Sequence, residues 1–376
     1  MLYEVVFGLQ TRIVMLVDLD YFFAQCEEIR NPSLKGKPVV VCVYSGRTED
    51  SGAVSTANYE ARKYGVKSGI PIVLAKKRLK DVDAVFLPVD KEFYKEISDD
   101  IMEILRNYAD HFEQVSIDEA YLDVTQKTRA NYQEAEEIAT EIKYQILNRQ
   151  QLTCSIGIGP NKLVAKIAAD AKRPDGLTIV RPEYVKSFLT PLPVRNLIGV
   201  GKKTEQKLET FGVKTIGHLA RFDVQKLVDV FGKKLGIYFH NASLGKDDEP
   251  VEERGEPESI SRISTLKEDT RNLEFILAEV YKLCVDVHAK LLGLGLNYRS
   301  VGIQVVGSNL NVYSRSKTFD NPSNNLEQFK MITQELFEKF LEESDVNARR
   351  VGVRLSSLTK REMEQKEIAS FFANSK

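Results

Sequence analysis

The segment Arg12–Asp20, RIVMLVDLD, is a short apolar run ending on two acids spaced i, i+2. That is the pattern of a buried strand whose C-terminal end meets solvent. Phe22–Ile29 has helical character and is stopped by Asn31-Pro32, and the β-branched run Pro38–Tyr44 predicts a second strand. Ala57–Tyr64 reads as a helix closed by Gly65, and Phe93–Tyr108 sets Phe93, Ile97, Ile101, Ile104 and Leu105 at helical spacing. Gln114–Val124 returns to strand character around a second pair of acids. Ala135–Leu147 is helical, Thr153–Ile158 a strand, and Leu163–Ala171 a helix closed by a Pro-Asp-Gly turn. This order of elements predicts an α+β domain on an antiparallel sheet.

After Pro182 the texture changes to short helical pieces joined by glycine-containing turns. Residues 182–243 carry ten Lys/Arg against five Asp/Glu, a local net of +5. Residues 244–258, LGKDDEPVEERGEPE, hold seven acids, two bases and two prolines, which predicts a solvated linker. A new alternation of strands and helices occupies 259–362, so the chain of 376 residues reads as multidomain.

Composition narrows the class. With 43% hydrophobic residues and a net charge of −1 the chain is not disordered, and no apolar stretch approaches the roughly 20 residues of a spanning helix. Cys26, Cys42, Cys154 and Cys284 lie far apart with no CxxC pair, which argues against a zinc site or a disulfide framework. Met1–Thr11 lacks the basic segment and apolar core of a secretory signal. A reduced, soluble, cytoplasmic protein is the expectation. The balanced total charge argues against nucleic-acid binding, yet it averages an acidic linker with a basic segment.

Asp18 and Asp20 in DLDYFF, and Asp118 and Glu119 in SIDEAYLD, are the most informative residues. Acids at i, i+2 on a strand share a face, and adjacent acids share a site only at a strand end or tight turn. Gathered carboxylates repel unless a divalent cation neutralises them, and hard oxygen ligands suit Mg²⁺ or Mn²⁺. Two such ions activate one oxygen and stabilise a leaving group in phosphoryl transfer.

The successive segments DLDYFFAQCEE, STANYEARKYG, SIDEAYLDVT and IGIGPNKLVAKIAADAKRPDG resemble, in order and spacing, the motifs of the Y-family DNA polymerases in their DNA polymerase IV branch. The resemblance runs from about Arg12 to the C-terminus. It implies a right-hand architecture: palm at 1–30 and 89–181, small fingers at 31–88 and a helical thumb with a helix–hairpin–helix at 182–243. A linker at 244–258, a C-terminal α/β little finger at 259–362 and a clamp-binding tail at 363–376 complete it. By this resemblance Asp18 and Asp118 bridge two Mg²⁺ ions (Mn²⁺ can substitute), Glu119 holds the ion at the primer 3′-hydroxyl, and the Leu19 carbonyl completes the nucleotide-side ion. Asp20 reads instead as a supporting group. Phe23 falls at the steric-gate position, where an aromatic face leaves no room for a 2′-hydroxyl, and Phe22 beside it suits the core.

Tyr59 and Arg62, three apart, share one helical face and offer a phenol and a guanidinium to triphosphate oxygens. The resemblance gives both that role, with Thr56 adding a hydroxyl. The third phosphate ligand departs from the family's usual Lys before Pro-Asn-Gly or Pro-Asp-Gly: here the position is Arg173, preceded by Lys172. Ala53, Ser55 and Gly69 sit where the fingers cover the nascent base pair, and such small residues predict an open, tolerant site of low fidelity.

Ile198-Gly199-Val200-Gly201-Lys202-Lys203 before a helix resembles the hairpin of a helix–hairpin–helix, which binds duplex backbone through exposed N–H groups. Phe231-Gly232-Lys233-Lys234 is a weaker second copy. Arg315 and Lys317 at i, i+2, with Arg299, Arg350 and Arg354 on other predicted strands, are candidates to line a sheet face against DNA. Gln365, Ile368, Phe371 and Phe372 fit Q-x-x-(aliphatic)-x-x-(aromatic)-(aromatic), which resembles the motif that docks on sliding clamps.

The expectation is a monomeric, template-directed lesion-bypass polymerase without a proofreading exonuclease. Its partners are primer–template DNA, deoxynucleoside triphosphates and a sliding clamp. The competing reading is a non-catalytic DNA-binding scaffold tethered to the clamp, which has no need of Asp18, Asp118 and Glu119 together. A nucleotide cyclase on a related sheet has no use for the hairpin or the tail.

Overall fold

The apolar run after Arg12 becomes β1 (Val14–Leu19), buried along its whole length because both of its faces are covered. The computed structural model describes residues 12–253 and 255–360, which contacts divide into two units, 12–43 with 53–253 and 44–52 with 255–360.

In the first unit β1 is followed by α1 (Phe22–Arg30), β2 (Val39–Tyr44), β3 (Gly52–Ala57), α2 (Tyr59–Lys63), α3 (Ile72–Arg78), β4 (Val85–Pro88) and α4 (Lys91–Tyr108). Then come β5 (His111–Gln114), β6 (Glu119–Asp123), α5 (Tyr132–Gln150), β7 (Cys154–Gly159), α6 (Lys162–Ala171) and β8 (Leu177–Ile179). The expected strand–turn–strand around Gln114–Val124 is β5 and β6, joined by a turn in which the amides of Val115 and Ser116 both donate to the Glu119 carbonyl. The main sheet runs β5-β6-β1-β7-β8. It is antiparallel except for β8, which adds parallel to β7, so the expected antiparallel sheet gains one edge strand that its three half-buried residues did not announce.

Met15, Val17 and Leu19 face a large core with Tyr94, Ile101, Leu105, Ile142 and Ile146, on α4 and α5. Val14 and Leu16 face Tyr121, Ala165 and Ala169 on the other side. There α6 lies so close to β7 that a Cβ on Gly157 would collide with the Ala165 carbonyl and the Ala169 amide. Close approach of helix to sheet is what this glycine permits.

β2 sorts its run of valines by parity. Val39 and Val41 join the large core, whereas Val40 and Cys42 join Val54, Ala61, Ile72 and Ala75 in a separate cluster under α2 and α3. A small sheet, β3-β2-β4, carries this expected fingers region. Neither β3, α3 nor β4 is visible in the periodicity, because each is short. The predicted thumb is α7 (Val185–Leu189), α8 (Lys202–Glu209), α9 (Ile216–Ala220), α10 (Val224–Phe231) and α11 (Lys233–Ser243) around a cluster that includes Leu208, Ile216, Leu227 and Phe239.

Most described residues of the predicted solvated linker are exposed, but its first part is tied to the first unit. Val251 is 3% exposed beside Val14 and Leu16. Asp247 Oδ2 accepts from the Leu163 amide at 3.0 Å at the start of α6, Lys162 pairs with Glu249, and Arg12 donates to the carbonyls of Asp247 and Glu249. Of its acids, Asp247 meets an amide and Glu249 a lysine far away in sequence, and one valine supplies the anchor.

The second unit contains β9 (Ser259–Thr270), α12 (Leu273–Gly293), β10 (Leu296–Gly307), β11 (Val312–Ser323), α13 (Leu326–Glu343), β12 (Ala348–Ser356) and the short β13 (Thr359–Lys360). Its sheet runs β11-β10-β12-β9, and both helices pack on one face against Val301, Ile303, Val305, Val351 and Val353. Among the described residues of this unit no helix packs on the other face, the open face.

Candidate active site

The end of β1 gathers the acids. Asp18 sits opposite Glu119 of β6 on one side and Ser155 of β7 on the other. The Leu19 amide donates to the Asp118 carbonyl at 2.9 Å, which fixes the second acid pair beside the first. Asp118 itself accepts from the Ser116 hydroxyl at 2.6 Å.

Two cations occupy this cluster. Lys166 Nζ, on α6, lies 2.7 Å from Glu119 Oε1 and 3.3 Å from Asp18 Oδ2. The Arg173 guanidinium pairs with Asp18 and, at 3.2 Å, with Asp170. Burial pushes the Asp170 carboxyl up, against the pull of Lys166, and pushes Arg173 below its usual value. Among the described residues no group of three or more His, Cys, Asp or Glu side chains closes into a metal-ligand set. Two positive side chains beside buried Asp18 do the neutralising that carboxylates at this spacing require. The donor chemistry fits a hard divalent cation: oxygen ligands carrying excess negative charge.

Asp20 points elsewhere. It is 1% exposed and accepts from Thr153 Oγ1 at 2.9 Å, Ser155 Oγ at 2.8 Å and the Asp175 amide at 2.8 Å. It ties β1 and β7 to the loop that follows Arg173.

α1 starts at Phe22, whose side chain is buried in the core, leaving Phe23 half-exposed. The Phe23 ring stacks on Tyr94 of α4. On α2, the Arg62 guanidinium lies 4.6 Å from the Tyr59 ring centroid, and its Nε donates to the Ala57 carbonyl at 2.9 Å. Thr56 is half-buried on β3. Ala53 and Ser55 alternate on β3 with Val54, whose carbonyl accepts from the Gly69 amide at 2.9 Å. The three small residues thus lie together, and Gly69, at φ +86°, has open space where a Cβ would be. Lys172 is exposed.

Gly199 takes φ +84° and Gly201 precedes α8, whose first residues Lys202 and Lys203 are exposed. Gly232 repeats the device between α10 and α11 at φ +81°, followed by exposed Lys233 and Lys234.

The candidate basic row of the second unit is split by register. Arg354, Gly302 and Ser316 are opposed across three strands on the open face, with Arg350 four residues back from Arg354. Arg315 and Lys317 fall on the helix side of the edge strand, where they pair with Glu343 and Glu335 of α13 at 2.9 and 2.7 Å. Arg299 donates to the Phe319 carbonyl at 3.4 Å. The i, i+2 rule correctly put Arg315 and Lys317 on one face, but sequence alone did not say which face the helices cover. Gln365, Ile368, Phe371 and Phe372 lie outside the described residues.

Sequence reasoning missed Lys166, Tyr94 and Asn58. Lys166 and Asp170 stand i, i+4 in AKIAAD, a spacing that puts both on one side of α6.

The chain matches three family models: the impB/mucB/samB family over residues 17–170, its C-terminal domain over 257–368, and the thumb domain of DNA polymerase-iota over 195–247. It is 48% identical to DNA polymerase IV of Nitrosopumilus maritimus, covering 97% of this chain and 100% of that one. Against DNA polymerase IV of Methanosarcina acetivorans the identity is 47%, over 93% and 97%. Among solved structures, the Y-family DNA polymerase chimera Dbh-Dpo4(243-245)-Dbh aligns with a TM-score of 0.87 at 37% identity, over 93% of this chain and 99% of that one. An insertion ternary complex of Dbh DNA polymerase aligns at 0.67 and 36%, with the same coverage. The chain belongs to the Y-family of DNA polymerases. It is a DNA-directed DNA polymerase, and its relatives place it in the DNA polymerase IV branch. No helix among the described residues is long and apolar enough to cross a membrane.

Proposed function

We propose that this polymerase copies past damaged template bases with low fidelity, on two divalent ions held by Asp18, Asp118, Glu119 and the Leu19 carbonyl. The reading rests on one juxtaposition: Asp18 and Glu119 face each other across β1 and β6, with Asp118 hydrogen-bonded through its backbone to Leu19. When bound, Mg²⁺, or Mn²⁺ in its place, lowers the pKa of the primer 3′-hydroxyl and neutralises charge on the departing pyrophosphate.

The chain's own residues do the rest. Tyr59, Arg62 and Thr56 hold triphosphate oxygens, and Arg173 leaves Asp18 for the same phosphates, with exposed Lys172 beside it. Phe23 excludes the 2′-hydroxyl by overlap. Ala53, Ser55 and Gly69 form a thin cover that exerts little shape selection on the nascent pair. Gly199, Gly201, Lys202 and Lys203 contact duplex phosphates without reading sequence, as do Arg350 and Arg354 on the open sheet face. Residues 363–376 dock on a sliding clamp, which raises the processivity of an otherwise distributive enzyme. It works as a monomer in the cytoplasm, and the known ternary complexes of Dbh support a primer–template and a nucleotide as its substrates.

Primer extension with Mg²⁺ on an undamaged and an abasic template tests this. Full-length product on both, lost in Asp118→Ala, is the expected result. No extension by the parent protein, or unchanged extension by the variant, overturns it.

A further inference from the structure

Between α1 and α2 lies a buried polar junction with no part in the chemistry described so far. Glu28, on the last turn of α1, is 8% exposed, and Asn58, the residue before α2, is 3% exposed. Asn58 uses all of its hydrogen-bonding capacity. Its Oδ1 accepts from the amides of Ala61 and Val39, both at 3.0 Å, and its Nδ2 donates to the Lys37 carbonyl at 2.8 Å and to Glu28 Oε1 at 2.7 Å. The first of these bonds caps α2, so one side chain sets both the start of that helix and its seat on β2.

Glu28 has a second arm. Its Oε2 accepts from the Tyr21 hydroxyl at 3.3 Å, and the Tyr21 ring stands edge-on to Tyr59, with centroids 5.3 Å apart and planes at 89°. Tyr21 holds left-handed backbone angles, φ 36° and ψ 43°, between Asp20 and Phe22. A non-glycine residue stays in that region only when its surroundings fix it. Glu28 therefore meets α2 twice: through the cap at Asn58 and through the ring of Tyr21 against Tyr59. Both arms end on the turn that presents Tyr59 and Arg62.

We infer that Glu28 is a positioning residue for nucleotide binding, holding the Tyr59–Arg62 face of α2 in register with the start of α1 through Asn58 and Tyr21. The inference rests on the reading of Tyr59 and Arg62 as triphosphate ligands. A buried carboxylate between two donors costs desolvation, and two hydrogen bonds in a dry setting recover it only if both partners stay in place. Removing Glu28 leaves Asn58 Nδ2 and the Tyr21 hydroxyl without that acceptor and frees α2 to rotate. The cost falls on the nucleotide rather than on the acids at the end of β1.

The experiment is single-nucleotide insertion by the full-length protein, with DNA affinity measured separately. Glu28→Ala is expected to raise KM for the nucleotide about ten-fold with kcat and DNA affinity little changed. Glu28→Gln, which keeps an acceptor for Asn58 and a polar partner for Tyr21, should restore most of the loss. Should the alanine variant not fold, Asn58→Asp places a like charge against Glu28 at the same volume and should raise KM by the same order. Unchanged KM in these variants, while Arg62→Ala raises it, overturns the inference and leaves the phosphate grip intact. Equal losses in kcat and DNA affinity that glutamine does not rescue overturn it in favour of a general structural role. If Arg62→Ala and Tyr59→Phe leave KM alone, the phosphate-grip reading itself fails, and the inference with it.

Discussion

The ring of Phe23 lies on the ring of Tyr94, with 4.4 Å between centroids and planes 14° from parallel. Tyr94 is fully buried, and its hydroxyl donates to Glu27 at 2.6 Å. The half-exposed ring therefore rests on a platform locked from below. A gate that excludes by overlap works only if it cannot tilt away, so the platform matters as much as the gate. Phe23→Ala should admit ribonucleotides, lowering the ratio of kcat/KM for deoxy over ribo substrates by at least about ten-fold. Tyr94→Leu, which removes the stack and keeps the gate ring, should lower the same ratio by a smaller factor. Unaltered discrimination in Phe23→Ala refutes the gate.

Asp18 and Asp20 differ by two positions and should fail in different ways. Asp118→Ala and Asp18→Ala remove proposed metal ligands, so extension should be lost, and Asp118→Ala, at a partly exposed site, should cost little stability. Asp20 instead accepts three hydrogen bonds, one from the fully buried Ser155. Asp20→Ala leaves that hydroxyl's proton without an acceptor and should cost about 2–3 kcal/mol in urea denaturation. A stable, inactive Asp20→Ala would instead make it a metal ligand.

These two carboxylates also mark how far the sequence could be read. The strand end, the acid pairs and the motif order identified the palm, because a run of apolar residues buried on both faces leaves little choice of element. The direction of Asp20 was not legible, since it depends on Thr153, Ser155 and Asp175, more than 130 residues away. Val251 is the same lesson in reverse: acids around it suggested solvent, and only the folded palm shows the pocket between Val14, Leu16 and Tyr121 that takes it. Local pattern reports which residues want burial. It does not report which distant partners meet them.

The Glu28 carboxyl gives a test by pH. Burial pushes it above the ordinary carboxylate value, Glu60 adds to the push, and hydrogen bonds from Asn58 and Tyr21, with the charge of Lys35, act against it. A carboxyl raised on folding makes the native state bind its proton first, so its ionised form costs stability above the folded pKa. That cost fades as the pH falls through the folded value towards the ordinary one near 4.3. Relative to the parent, Glu28→Gln should have its largest advantage in urea midpoint at neutral pH, shrinking by about pH 4. A gap that stays constant or widens on acidification contradicts the direction.

Deleting residues 365–376 removes Gln365, Ile368, Phe371 and Phe372 together. Basal extension should persist, because Asp18, Asp118 and Glu119 are untouched, while stimulation by a sliding clamp should disappear. Stimulation that survives the deletion removes the tail from the docking role.

The five basic residues first grouped in the last unit should separate in a salt titration. Arg354 projects from the open face beside Gly302 and Ser316, neither of which blocks approach of a phosphate. Arg315 and Lys317 are already paired with Glu343 and Glu335, so a phosphate must compete with a carboxylate for each. Each cation that neutralises a phosphate releases a counterion, which makes log affinity fall with log salt. Arg354→Ala and Arg350→Ala should each reduce that slope by roughly 0.9. Arg315→Ala and Lys317→Ala should change it little, since the pairs they leave are internal. Equal slopes for all four variants would mean that the ion pairs on α13 open when DNA binds, and that the helix-side edge of β11 contacts the duplex as well.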